Sequence, residues 1–232
     1  VQFIASLVLI MNGTILTIDI LPYSLNLILT ILWVVGITNA FNIIDVMDGL
    51  STGVAFIASG IFFIIAIMTG NMQVGIMTAS LCGATLGFLR YNFKPAQIFM
   101  GDMGSGFLGF IISAIAIKES YTGKNPIALF SPLLILAVPI YDTLLVICMR
   151  INQRKPVFRG SRDHFALRLV ALGLNERRTV LVTYGISLAL GIFALVIVKL
   201  RIEWAIGTMA FIAAALVLAG YRLGKVRVEK EG

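Results

Sequence analysis

About eight apolar runs leave this chain few ways to fold: 1–16, 25–43, 52–70, 73–90, 104–118, 127–149, 180–199 and 203–220. Each approaches the ~20 residues that a helix needs to cross a hydrocarbon core. In lipid a helix also satisfies its own backbone hydrogen bonds, which an isolated strand cannot do. The expected fold is therefore all-α, a polytopic transmembrane bundle of about eight spanning helices, with residues 1–232 forming one integral-membrane domain. Composition agrees: 59% of residues are hydrophobic and 12% charged, against about 25% charged in soluble domains. Mean hydropathy is +1.00. The run at 104–118 is short and glycine-containing, so it is expected to be tilted, buried or extended past Lys118. No internal repeat is visible.

The net charge is +7. In a chain this apolar, that excess reads as the Lys/Arg bias of cytoplasmic loops, and no nucleic-acid partner is expected. Arg150, Arg154, Lys155, Arg159, Arg162, Arg168, Arg177 and Arg178 fall in the 150–179 loop, opposed only by Asp163 and Glu176. The tail (Arg222, Lys225, Arg227, Lys230) and the 90–103 loop (Arg90, Lys94) are basic too. An even number of crossings separates these three regions, so all are expected on the cytoplasmic side, together with Asp45 and Asp48. The segments 17–24, 71–72, 119–126 and 200–202 then face the other side. Cys82 and Cys148 sit in apolar runs without metal or pairing spacing, and read as small reduced core residues. The chain begins with Val1, and no basic segment or cleavage site precedes its first apolar run. That argues against a signal peptide and for a piece of a longer chain.

Polarity inside such a chain needs a reason. Asn39, Asn42, Asp45 and Asp48 recur every third residue in "NAFNIIDVMDGL", a drifting polar stripe if the stretch is helical. An Asp in mid-bilayer costs about 2.5–3.5 kcal/mol on insertion scales, so the stripe should lie near the surface or line a water-filled cavity. In "MGDMGSGFLGF", Asp102 stands between glycines at the start of an apolar run. Asp102 or Ser105 could serve there as a helix cap, or the glycines could admit a ligand. Two aspartate clusters on one membrane face suit Mg²⁺, which binds through one or two carboxylates plus substrate phosphates. The basic loop would meet phosphate or anionic lipid. Asp142 in "PIYDTLL" is a fourth carboxylate, expected to be structural and paired with a loop Arg. His164 is the single histidine, so no His-based metal site is available; Arg162, Asp163 and Arg168 surround it in "SRDHFALRL".

These four motifs, in this order, resemble the polyprenyl-phosphate N-acetylhexosamine-1-phosphate transferases of glycosyltransferase family 4. That superfamily includes undecaprenyl-phosphate GlcNAc-1-phosphate transferases and the phospho-MurNAc-pentapeptide translocase. The resemblance spans essentially the whole chain. It implies a multi-pass enzyme of the bacterial inner membrane with its active site facing the cytoplasm. Such an enzyme moves a sugar 1-phosphate, GlcNAc-1-phosphate by default, from a UDP-sugar to polyprenyl (undecaprenyl) phosphate and releases UMP. This is the first membrane step of a cell-envelope polysaccharide. Carried over by position, Asp102 matches the Mg²⁺-binding aspartate, with Mn²⁺ as an alternative metal. Asp45, Asp102 and His164 form the implied catalytic set. Asn42 and Asp45 match polar residues lining the cleft, Asn39 is a further substrate-binding candidate on the same stripe, Asp48 falls at the uridine end, and Arg162 and Arg168 flank the histidine of the nucleotide-sugar loop. A homodimer is compatible with the resemblance.

Three departures stand out. Val46 follows Asp45 where the family has Gly, and Leu167 occupies the place of a second His. The family's adjacent aspartate pair would precede Val1, so this chain alone is expected to have little or no activity. The rival readings are a transporter, whose intramembrane polar groups form a path, and a catalytically inactive scaffold.

Overall fold

The computed structural model describes residues 1–119, 130–154, 156, 163–200 and 202–226. Arg162 lies outside them. Helices account for all the regular structure among the described residues: α1 (Gln2–Met11), α2 (Tyr23–Ile44), α3 (Leu50–Thr69), α4 (Met72–Asn92), α5 (Gly101–Lys118), α6 (Ser131–Ile135), α7 (Ala137–Asn152), α8 (Phe165–Ala171), α9 (Glu176–Ile197) and α10 (Ile202–Gly224). Six of them (α2, α3, α4, α5, α9 and α10) are long and apolar enough to cross a membrane. The chain is a multi-pass membrane protein.

Two of the eight expected spans are shorter than the sequence suggested. The first run yields a helix of only 10 residues; it stops ahead of Gly13, which takes φ +74°, and residues beyond it fold back onto α2. There Leu16 N–H donates to Thr30 Oγ1 (3.0 Å) and Ile18 N–H to Asn26 Oδ1 (3.2 Å). The run at 127–149 is broken at Leu136 into α6 and α7. Pro139 supplies the cause: it has no N–H for the carbonyl four residues back, and its ring crowds that carbonyl, which belongs to Ile135.

The chain forms two compact units, Val1–Tyr121 and Thr122–Gly232. In the first, α3 is the most buried span. It pairs with α4 through a hairpin at Gly70 (φ +73°), after which Asn71 Oδ1 accepts the Val74 N–H at 3.3 Å. α2 packs along α5, and α1 lies on α2. One end of this unit is tied by Thr69 Oγ1 to Glu119 (3.0 Å) and by Asn71 Nδ2 to the Lys118 carbonyl (3.1 Å). The opposite end gathers the 45–49 and 93–100 segments, so Asp45, Asp48 and Asp102 emerge together, as the crossing parity required. In the second unit α6, α7 and α8 pack on α9, while α10 lies against α7 and α8.

Candidate functional site

Only half of the polar stripe is helical. Asn39 and Asn42 occupy the last turns of α2, Asp45 is its C-cap (φ −77°, ψ 55°), and Asp48 sits in the connection to α3. Gly49 takes φ +79° to start α3, the left-handed conformation that its Asp-Gly pairing foreshadowed. Asn39 is occupied away from the carboxylates. Its amide exchanges two hydrogen bonds with Gln2 of α1 (3.0 and 3.3 Å) and donates a third to the Val35 carbonyl.

Asn42 joins the two motifs. Its Nδ2 donates to Ser105 Oγ at 3.0 Å and reaches Asp102 Oδ1 at 3.4 Å. The helix bearing these partners begins at Gly101, three residues earlier than expected, so Asp102 stands in the first turn of α5. Neither Asp102 nor Ser105 caps it: Ser105 Oγ instead donates back to the Gly101 carbonyl at 3.1 Å. Asp102 is exposed. Its charge rests at the positive end of the helix dipole, worth a few tenths of a kcal/mol to about 1 kcal/mol at a surface.

A residue without a motif organises the turn. Asn92, the last residue of α4, is 4% exposed. Its Oδ1 accepts from the Gly49 N–H (3.2 Å) and Thr52 Oγ1 (2.7 Å), and its Nδ2 donates to the Ile98 carbonyl (3.0 Å). Asp48 Oδ2 adds an acceptor for the Ala96 N–H at 3.1 Å. A polar side chain closing a helix beside "FKPA" was the available signal, and it points only to a turn.

The carboxylates repel one another. Burial, then the negative charges of Asp102 and Asp48, raise the Asp45 carboxyl from 3.8 to about 6. Because the folded state holds this proton more tightly than the unfolded chain, the group opposes folding above pH 6. That penalty shrinks as pH falls through about 6 and is gone below 3.8. Carbodiimide modification, which selects protonated carboxyls, is expected to label Asp45 with a midpoint near pH 6. Asp102→Asn should move that midpoint toward more acidic pH, because it removes one of the two repelling charges.

In the second unit, His164 is 5% exposed and Asp142 is fully buried. They meet directly, Asp142 Oδ2 lying 2.8 Å from His164 Nδ1, so the partner of Asp142 is the histidine rather than the expected arginine. Arg168 is 2% exposed. Its guanidinium donates to Asp163 Oδ1 (2.9 Å), to the Asp163 carbonyl (3.1 Å), and to the Leu223 and Val226 carbonyls at the end of α10. It is committed as a clamp inside the chain, whereas the sequence had it facing substrate.

Residues 1–120 match glycosyl transferase family 4. Among curated proteins, the chain is 41% identical over 169 residues to the probable undecaprenyl-phosphate N-acetylglucosaminyl 1-phosphate transferase of Bacillus subtilis, covering 73% of this chain and 47% of that one. It is 39% identical over 170 residues to the phospho-N-acetylmuramoyl-pentapeptide-transferase of Halalkalibacterium halodurans (72% and 50% covered). It is 32% identical over 184 residues to the decaprenyl-phosphate N-acetylglucosaminephosphotransferase of Mycobacterium leprae (71% and 46% covered). The chain thus spans about half the length of these relatives. With the profile match covering the whole unit that carries Asn42, Asp45 and Asp102, the chain belongs to glycosyl transferase family 4.

Proposed function

We propose that the native-length protein transfers a sugar 1-phosphate from a UDP-sugar to polyprenyl phosphate, releasing UMP at the cytoplasmic face of the bacterial inner membrane. GlcNAc-1-phosphate is the default group, as in the name of the Bacillus subtilis relative. The observation that carries this reading is the Asn42–Ser105–Asp102 cluster beside Asp45, at one membrane end of the first unit. Phosphoryl-type transfer asks a protein mainly to position reactants and to offset charge, and that is what such a cluster offers.

The donor set fits Mg²⁺, with Mn²⁺ as the alternative. Among the described residues no group of three His, Cys, Asp or Glu side chains forms a closed cage. Mg²⁺ does not require one, since it commonly takes one or two carboxylates, waters and substrate phosphates. Asp102 is exposed, and burial, then the neighbouring charges of Asp102 and Asp48, raise the Asp45 carboxyl, a setting that a bound cation would relieve. Asp102 would hold the ion, with Asp45 beside it. Bound there, Mg²⁺ would neutralise the UDP-sugar diphosphate. Asn42 orients Asp102, Asp48 lies toward the uridine, and His164 keeps the role the resemblance gives it, toward the phosphates.

The acceptor's tail needs an apolar surface next to this chemistry. A cleft of about 230 Å³, lined by Thr52, Ala84, Phe88, Phe99, Met100 and Phe107 among others, opens beside the start of α5. Ala84→Trp is expected to fill it, raising KM for polyprenyl phosphate about tenfold, or 1.4 kcal/mol, while KM for the UDP-sugar stays put. The reading as a whole is tested by UMP release from UDP-GlcNAc with polyprenyl phosphate and Mg²⁺, in membranes carrying the native-length protein. Solute flux through proteoliposomes without UMP release would replace it with a transporter.

A further inference from the structure

We infer that Asp142 is a positioning residue that decides which nitrogen of His164 faces a ligand; this rests on the phosphate role proposed for His164. The carboxyl group is fully buried in α7 and makes two contacts. Oδ1 accepts the Phe165 N–H at 2.8 Å, and Oδ2 lies 2.8 Å from His164 Nδ1. The first contact satisfies an orphan donor in the opening turn of α8, where His164 occupies the N-cap position but makes no capping bond of its own. The second uses the remaining oxygen as an acceptor, which places the ring proton on Nδ1.

Nε2 has no partner among the described residues. With Nδ1–H held by Asp142, it meets a ligand in one of two defined forms. In the neutral ring it is an acceptor; in the protonated ring, Nε2–H donates to a phosphate oxygen. A histidine whose second nitrogen is anchored by a carboxylate is also fixed in orientation.

Asp142→Asn separates this role from a purely structural one. The asparagine has one oxygen, and the Phe165 N–H requires it. Its NH₂ then faces Nδ1, which must become the acceptor and send the ring proton to Nε2. The fold contact survives while the tautomer reverses.

The test is ¹⁵N-histidine NMR of the native-length protein in nanodiscs above the titration range of imidazole. The His164 signal is assigned by its loss in His164→Gln. The expected result is Nδ1–H in the wild type and Nε2–H in Asp142→Asn. In UMP-release assays the same variant should lose about tenfold or more in kcat, with KM for the UDP-sugar changed less than about twofold. An Nε2–H tautomer in the wild type, or an unchanged tautomer in Asp142→Asn, overturns the assignment. Full turnover by His164→Gln would instead overturn the phosphate role of His164 and leave the tautomer result to speak for Asp142 alone.

Discussion

Asp102→Asn in the native-length protein is expected to cut divalent-dependent UMP release by about a hundredfold or more, while the protein stays folded in membranes. The two halves of that expectation have separate causes. The substitution keeps shape and removes a full negative charge at the proposed metal position, so a loss of about 2.7 kcal/mol of transition-state stabilisation is the scale involved. The fold should hardly notice. Asp102 is exposed, and its one side-chain hydrogen bond among the described residues is a long 3.4 Å contact from Asn42, whose better bond at 3.0 Å goes to Ser105. Exposed positions of this kind usually shift stability by no more than about 0.5 kcal/mol. Turnover at the wild-type level in folded protein would remove Asp102 from the reaction. Raising Mg²⁺ or Mn²⁺ should restore part of the lost rate if the variant weakens metal binding rather than abolishing it.

The membrane character and most of the helices were legible because about 20 apolar residues in lipid admit one kind of structure. Where the reading slipped, the missing information was local and steric. The break at Leu136 comes from Pro139, three residues on, inside a run that looks continuous by hydropathy. The early start of α5 depends on Gly101 at φ +64°; Gly-Asp-Met-Gly reads as a loop until that angle is known. At the site, the spacing of Asn42, Asp45 and Asp48 revealed polarity in one place but not who meets whom. Asn42 finds partners 60 and 63 residues away, and Asn92 reaches back to Gly49 and Thr52 across 43 and 40 residues. Asp142 was recognisable as a structural carboxylate, yet charge alone suggested an arginine partner. Its histidine, 22 residues on, is brought to it by the packing of α7 and α8 on the same partners, α9 and α10. Arg168 looked like a phosphate ligand for the same reason, since the sequence shows the charge and not the carbonyl oxygens that occupy it.

Gly109→Ala is expected to destabilise the protein and to disable the site together, through one contact. A Cβ at Gly109 would lie 2.7 Å from Thr38 Cα, 3.0 Å from the Ile37 carbonyl oxygen and 3.1 Å from Phe41 Cβ. The first two are backbone atoms of α2, so no side-chain rotation relieves the clash and the helices themselves must part. Overpacking of this sort costs about 1–3 kcal/mol. The consequence for the site follows from helical spacing. Ser105 stands one turn before Gly109 on α5, and Asn42 one turn after Thr38 on α2, so the Gly109–Thr38 approach lies directly next to the 3.0 Å Asn42–Ser105 bond. Separating the helices there lengthens that bond and carries Asn42 away from Asp102. Gly106, three residues earlier on α5, has nothing within 4 Å of a built Cβ. There alanine should be neutral or stabilising by up to about 1 kcal/mol, as in an ordinary helix interior. Thermal denaturation of both variants in the same detergent is therefore expected to show a lowered midpoint in Gly109→Ala and an unchanged or raised one in Gly106→Ala, with UMP release impaired in Gly109→Ala alone. Equal shifts would mean that α2 and α5 do not approach at Gly109. A stability loss in Gly109→Ala with full UMP release would mean that the Asn42–Ser105 register is not what holds the Asp102 carboxylate in its working position.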